Sequence, residues 1–325
     1  MRIGYFLSSE EATPADLVKQ AKLAEQAGFD ALWISDHYHP WNDEQGQSPF
    51  VWSVIGALSQ VTSLPVTTAV TCPTVRTHPA VIAQAAATAA VMLPGGFRFG
   101  VGSGEALNEH ITGARWPTAE VRLDMLEEAI EVIRALWTGE SVHHHGEHYT
   151  VEDARIYTLP STPPPIYVSG FAPKAVDLAA RIGDGFVCTK PDAHLVTRFR
   201  ENGGGDKTAQ AGFKVCWSRD REAAIDTAFR LWRNAGVPGE LSQVLPSPQH
   251  FEQAAQLVTR EMTAESTAFG DDADEHARAF QPFVDAGFDE IFVSQMGAHL
   301  PATNAEGFFE FYAERVLPRL RDAVV

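Results

Sequence analysis

Cysteine is scarce in this chain of 325 residues: there are three, Cys72, Cys188 and Cys216, far apart and odd in number. That spacing excludes a disulfide framework and a CxxC metal site, and it fits a reducing compartment. Positive charge is also short. With 25 lysines and arginines against 42 aspartates and glutamates, the formal net charge is −17. Nucleic acid and anionic membrane both demand a cationic face, so neither is an expected partner. Long apolar runs are missing too: none approaches the roughly 18 residues that a membrane span needs. The opening MRIGYFLSSEE turns polar after Leu7, too soon for a signal peptide. A cytoplasmic enzyme is the expectation.

What the chain does have is an alternation of short apolar strands and amphipathic helices. Residues 2–7 read as a buried strand. Thr13 and Pro14 then supply an N-cap with proline at the first helical position, and Gly28 stops the helix. Further strands are expected at 31–35, 65–70, 97–101, 166–169, 185–188, 213–217 and 290–294, with helices at 50–60, 79–92 and 118–137. Strands followed by helices imply parallel pairing through right-handed crossovers, and eight such units point to an α/β fold, a closed (β/α)8 TIM barrel. The reading is one domain over 1–325, with a hairpin insertion near 142–165 and a helical insertion near 237–272. The acidic run Asp271, Asp272, Asp274, Glu275 is a solvated helix start.

Chemistry is expected where barrel strands end, because side chains there leave the packed layers and enter the mouth. The second strand ends in SDHYHPW, which puts Asp36, His37, His39 and Trp41 at that rim. The fourth ends in GVGSGEALNE, where Gly102, Ser103 and Gly104 either form a plain turn or let backbone approach a ligand, and Glu105 follows. Three readings of His37 stay open on these residues: a metal ligand with His39 and Asp36, a hydrogen-bonded structural histidine, or a general base. The helix-start glutamate is the plain alternative for Glu105. Ser169, Gly170, Phe171 and Ala172 precede Pro173 and could offer free N–H groups to an anion, or simply cap a helix. His143, His144, His145 and His148 form the densest histidine cluster, read as a solvated loop rather than a metal site. No metal is expected.

These motifs resemble the luciferase-like flavin and deazaflavin oxidoreductases, and within them the branch typified by the F420-dependent glucose 6-phosphate dehydrogenases. The likeness rests on SDHYHPW (35–41), PAVIAQAAAT (79–88), GVGSGEALNE (100–109) and ARIGDGFVCT (180–189). It implies coenzyme F420, a homodimer, and hydride transfer to or from an alcohol or carbonyl compound. It also implies roles: His37 as the base for the substrate hydroxyl, Glu105 as an acid near the ring, and Trp41 as the wall of the reacting carbon. Asp36, Asn108 and a non-prolyl cis peptide at Ala69-Val70 would contact the deazaflavin. Ser169, Gly170, Phe171 and Ala172 would form its phosphate loop, with Phe171 and Ala172 where sugar-phosphate enzymes carry glycines. The basic side chains that hold a sugar phosphate in that branch have poor counterparts: Lys190 is displaced, and the late insertion offers His250 and Arg260, with Gln253 and Ser266 about where cations should stand. A dianion binds poorly without cationic partners, so a substrate other than a sugar phosphate is expected. The rivals are an FMN-dependent monooxygenase of the same superfamily, a glucose 6-phosphate dehydrogenase proper, and a cofactor-free accessory subunit.

Overall fold

Local signals open and close the first helix as the sequence predicts. Thr13 accepts a hydrogen bond from the Asp16 N–H, Pro14 begins α1 (Pro14–Ala27), and Gly28 closes it in the left-handed region at φ 88°. The computed structural model describes residues 1–322. Around α1 the chain lays down β1 (Arg2–Leu7), β2 (Leu32–Ile34), α2 (Val51–Leu58), β3 (Val66–Thr68), α3 (Pro79–Met92) and β4 (Phe97–Val101). A short α4 (Ala106–Glu109) and the long α5 (Ala119–Leu136) follow, then the hairpin of β5 (Val142–His145) and β6 (Thr150–Ala154). The second half holds β7 (Ile166–Ser169), α6 (Pro173–Ile182), β8 (Gly185–Cys188), α7 (Ala193–Phe199), β9 (Thr208–Val215), α8 (Arg221–Trp232) and β10 (Glu290–Gln295).

Apart from the hairpin, the strands pair in parallel and close in the order β1-β10-β9-β8-β7-β4-β3-β2. This is the expected eight-stranded barrel. Between α8 and β10 the late insertion is built of short helical turns, among them Pro248–Ala254 and Arg260–Ala264. In the hairpin, His143 faces Glu152 and Asp153, His145 faces Glu152, and His144 pairs with Glu128.

One strand departs from expectation. The seventh barrel strand was expected at 213–217, whereas β9 starts at Thr208 and ends at Val215. The reason is steric. Trp33 and Phe292 stack in the barrel interior at 4.6 Å, nearly parallel at 11°, and large rings demand small residues opposite. A Cβ on Gly212 would lie 2.2 Å from the Trp33 ring, and one on Gly4 would lie 2.1 Å from Phe292. In the first half of β9, Ala209, Gln210, Ala211 and Gly212 are therefore buried in the barrel while carrying no large apolar side chain.

Deeper in the barrel, toward the strand N-termini, a polar layer seals the base. Trp33 donates to Gln210 at 2.9 Å, Gln210 donates to Glu290 at 2.6 Å, and Arg98 and Arg2 both pair with Glu290. With the buried donors and acceptors there spent on one another, the opposite rim, at the strand C-termini, is left for ligands.

Candidate active site

The end of β2 sets the centre. Past Ser35 the chain turns outward, and His37 is fixed by its own neighbours: its Nδ1 lies 3.2 Å from the His39 carbonyl. A carbonyl can only accept, so Nδ1 carries the hydrogen and Nε2 faces inward. There Nε2 meets two carboxylates, Glu105 at 3.3 Å and Glu10 at 3.6 Å. The Trp41 ring lies 4.9 Å from the imidazole, backed edge-on by Phe251 from the late insertion at 5.0 Å. The structure thus brings His37, Trp41 and Glu105 together.

Glu10 was not among the expected residues. It sits just past β1 and is only 2 % exposed, accepting from the Ser8 hydroxyl at 2.7 Å and the Ser35 hydroxyl at 3.0 Å. Burial alone would raise its carboxyl, but the neighbouring His37 and Lys214 charges and the Ser8 hydroxyl hold it below the ordinary range. The signal was available: an ionisable residue at the carboxyl end of the first barrel strand obeys the rule that singled out Asp36 and Glu105.

Asp36 and Asn108 lie at the centre but face protein partners. The Asp36 carboxylate takes Arg76 at 2.9 Å on one oxygen and Thr71 at 2.7 Å on the other. Arg76 also approaches Glu109, whose carboxyl is pushed up to about 7 by burial, against the hydrogen bond and charge that Arg76 supplies. Asn108 is buried and works as a clamp: it accepts from the Tyr38 and His39 N–H groups at 2.8 and 3.0 Å and donates to Glu105 at 2.7 Å. It therefore ties the β2 rim to the β4 rim and aims Glu105 at His37.

The Ala69-Val70 peptide is cis. Val70 packs toward Gly102, where a Cβ would come within 2.7 Å of it and 3.8 Å of the Ser169 Cβ. Val70, Gly102 and Ser169 thus meet in one patch at the ends of β3, β4 and β7. After Gly170, Phe171 is 38 % exposed, and Ala172 caps α6 with no side-chain hydrogen bond, leaving the first N–H groups of that helix without a side-chain partner. Lys190 stands 5.8 Å over the Phe171 ring. Arg260 lies on the outer surface, paired with Glu222 and Asp226 of α8.

A family described as luciferase-like monooxygenase matches residues 1–290. The chain belongs to this family. Among its relatives is the F420-dependent glucose-6-phosphate dehydrogenase of Beutenbergia cavernae, 36 % identical over 99 % of this chain and 98 % of that protein. The enzyme of the same name from Nakamurella multipartita is also 36 % identical, over 100 % of this chain and 98 % of its own. Of solved structures, an F420-dependent secondary alcohol dehydrogenase in complex with an F420-acetone adduct superposes with a TM-score of 0.89 at 32 % identity, covering 99 % of both chains. Family membership thus rests on nearly full-length likeness in sequence and in fold.

Proposed function

We propose that this luciferase-like protein oxidises a neutral alcohol, or reduces the matching carbonyl compound, at the cluster of His37, Glu105, Glu10 and Trp41. It is an F420-dependent oxidoreductase. The observation that carries the assignment of roles is His37 Nε2 lying 3.3 and 3.6 Å from two carboxylates at the barrel mouth.

The site fits the coenzyme. Val70, Gly102 and Ser169 pack closely without a bulky side chain, a Cβ on Gly102 coming 2.7 Å from Val70, and the uncapped start of α6 offers N–H groups to an anion. In this reading Ala69, Val70 and Gly102 hold the ring, Ser169, Gly170, Phe171 and Ala172 hold the phosphate, and Asp36 and Asn108 support the ring through the rims they brace. Bound F420 supplies the carbon that exchanges a hydride with the substrate. His37 does the proton work. Its Nε2 takes the hydroxyl proton of an alcohol, or returns it to a carbonyl oxygen, while Nδ1–H stays on the His39 carbonyl and fixes the tautomer. The charge that His37 gains is balanced by Glu10 and Glu105. Trp41, backed by Phe251, walls the reacting carbon and keeps water from it.

The preference for a neutral substrate is supported by where the cations are. Arg260 is committed to Glu222 and Asp226 on the outside. Lys190 lies over Phe171 beside the phosphate loop, and Lys214 faces Glu10 and Glu11, which offset its charge. Against Trp41 stands the Phe251 ring. A panel of secondary alcohols, sugars and sugar phosphates, followed by F420 absorbance, tests the reading. A neutral alcohol should lead in kcat/KM; glucose 6-phosphate leading, with loss of that activity in Lys190→Ala or Arg260→Ala, would refute it.

The chain is further read as a cytoplasmic homodimer. Val81 and Met92 are exposed at 58 % and 41 % and stand three helical turns apart on α3, so sedimentation should give twice the 35.4 kDa chain mass. A monomer at micromolar concentration would refute the dimer.

A further inference from the structure

The proton chemistry just described leaves Lys214 unused. Its ammonium stands near the carboxyl end of β9, 3.8 Å over the Trp232 ring and 4.4 Å over the Phe6 ring. A cation stacked between aromatic faces inside a barrel persists only where its charge and hydrogens find partners. One partner is Ser8, whose hydroxyl oxygen lies 3.2 Å from Nζ.

The hydrogens along this line can be assigned. Ser8 has one hydroxyl hydrogen and gives it to Oε2 of Glu10 at 2.7 Å, so its oxygen accepts from Lys214. Ser35 is arranged likewise: it accepts from the Ser9 N–H at 2.9 Å and donates to the same Oε2 at 3.0 Å. Oε2 already carries two donated hydrogens, so a proton placed there would collide with them. Oε1 is left for His37 Nε2, 3.6 Å away.

We propose that Lys214 is a positioning residue for the proton chemistry: through Ser8 it holds Glu10 ionised and turned so that Oε1 faces His37. This rests on the reading of His37 as the group that exchanges a proton with substrate. The charged and titratable groups around Glu10 are His37 from the β2 rim, Glu105 beyond it from the β4 rim, Lys214 from β9, and its neighbour Glu11. Burial pushes the Glu11 carboxyl up to about 7, against the pull of Lys214 and the Gly297 N–H. Burial pushes the Lys214 ammonium down, and Glu10 and Glu11 oppose that push. A filler between two rings would need no such partners, and Trp232 also belongs to the apolar cluster on which Trp41 packs.

The test uses the full chain with 13C-carboxyl-labelled glutamate. Glu10 and Glu11 resonances are assigned by Glu10→Gln and Glu11→Gln and titrated without coenzyme. In Lys214→Met the Glu10 midpoint should rise by about one pH unit or more, since an opposite charge that close lowers a carboxyl by that order; Lys214→Arg should leave it in place. With F420 and an alcohol, the acid limb of kcat/KM should also rise in the Met variant and return in the Arg variant. A folded Lys214→Met protein with an unmoved Glu10 midpoint overturns the proposal; a raised KM with an unmoved limb does so too, and makes Lys214 a substrate contact. Should Lys214→Met fail to fold, Ser8→Ala breaks the same line while keeping the stacked side chain. A smaller upward shift supports the proposal, and none overturns it. A responsive Glu10 in a protein that turns over no alcohol supports the linkage and overturns the functional reading instead.

Discussion

At the scale of single residues, the site is built around one nitrogen. Nε2 of His37 faces Glu105 and Glu10, whose charges favour the proton it takes from a substrate oxygen entering beside Trp41. His37→Ala should therefore lower kcat by about two to four orders of magnitude, the usual range for a positioned acid-base group. F420 affinity should stay within a few-fold, because Ala69, Val70, Gly102 and the 169–172 loop, assigned to hold the ring and phosphate, lie on other rims. Stopped-flow turnover with fluorescence titration of the coenzyme checks both, and undiminished turnover would remove His37 from the chemistry. His37, Trp41 and Glu105 were legible because polar groups interrupt an apolar strand pattern abruptly. Glu10 carries the same strand-end signal, but among Ser8, Ser9 and Glu11 it looks like part of an ordinary solvated turn until the barrel closes over it.

A second histidine carries a stability signal away from the site. His276 is fully buried, with Nδ1 3.0 Å from the Tyr312 hydroxyl and Nε2 3.1 Å from the Gly270 carbonyl. Burial lowers its pKa to about 4, against the hydrogen bond to Gly270 that would raise it. The folded chain thus binds this proton less readily than the unfolded chain, whose histidine titrates near 6.5. Its contribution is full above about pH 6.5 and is lost as pH falls toward 4, up to about 3 kcal/mol at the low end. Urea unfolding at pH 7.5 and pH 4.5 should show the wild type losing more stability than His276→Gln over that interval. Equal losses would mean that His276 is not held neutral in the folded state.

At the scale of elements, the rims are held by different devices, and they were unequally visible. Thr13, Pro14 and Gly28 announce α1 because caps are local chemistry. The start of β9 was hidden because its residues answer to Trp33 across the barrel: Gly212 exists for a ring that arrives from a strand far away in sequence. Asn108 reads as a ligand group in isolation, and only the fold shows it joining the rims through Tyr38, His39 and Glu105. The phosphate loop gives a test at this scale. A Cβ on Gly170 would come 3.0 Å from the Ala175 and Val176 backbone, so Gly170→Val should push the loop off α6. F420 should then bind at least about tenfold more weakly, a loss of roughly 1.4 kcal/mol. A deazaflavin lacking the phosphate should bind equally to both proteins, and more weakly than F420 to the wild type. An unchanged F420 affinity in Gly170→Val, or equal wild-type affinity for the two deazaflavins, would take the loop out of the coenzyme site.

At the scale of the whole molecule, the sign of the charge bears on the substrate. A chain with a formal charge of −17 carries an overall field that repels a phosphate dianion on approach, and salt screens that repulsion over about 10 Å at 0.1 M. An enzyme for a sugar phosphate would have to reverse this field locally with two or three cations, each charge-assisted hydrogen bond contributing about 1.5 to 3 kcal/mol. Here Arg260 is turned outward to Glu222 and Asp226, and Lys214 is balanced by Glu10 and Glu11. With F420 held at saturation, kcat/KM for a neutral secondary alcohol should stay flat between 20 mM and 500 mM salt, concentrations that bracket the screening range. For glucose 6-phosphate, kcat/KM should be low throughout and rise with salt as the repulsion is screened. A high value that falls with salt would reveal a cationic pocket, and with it a sugar-phosphate dehydrogenase.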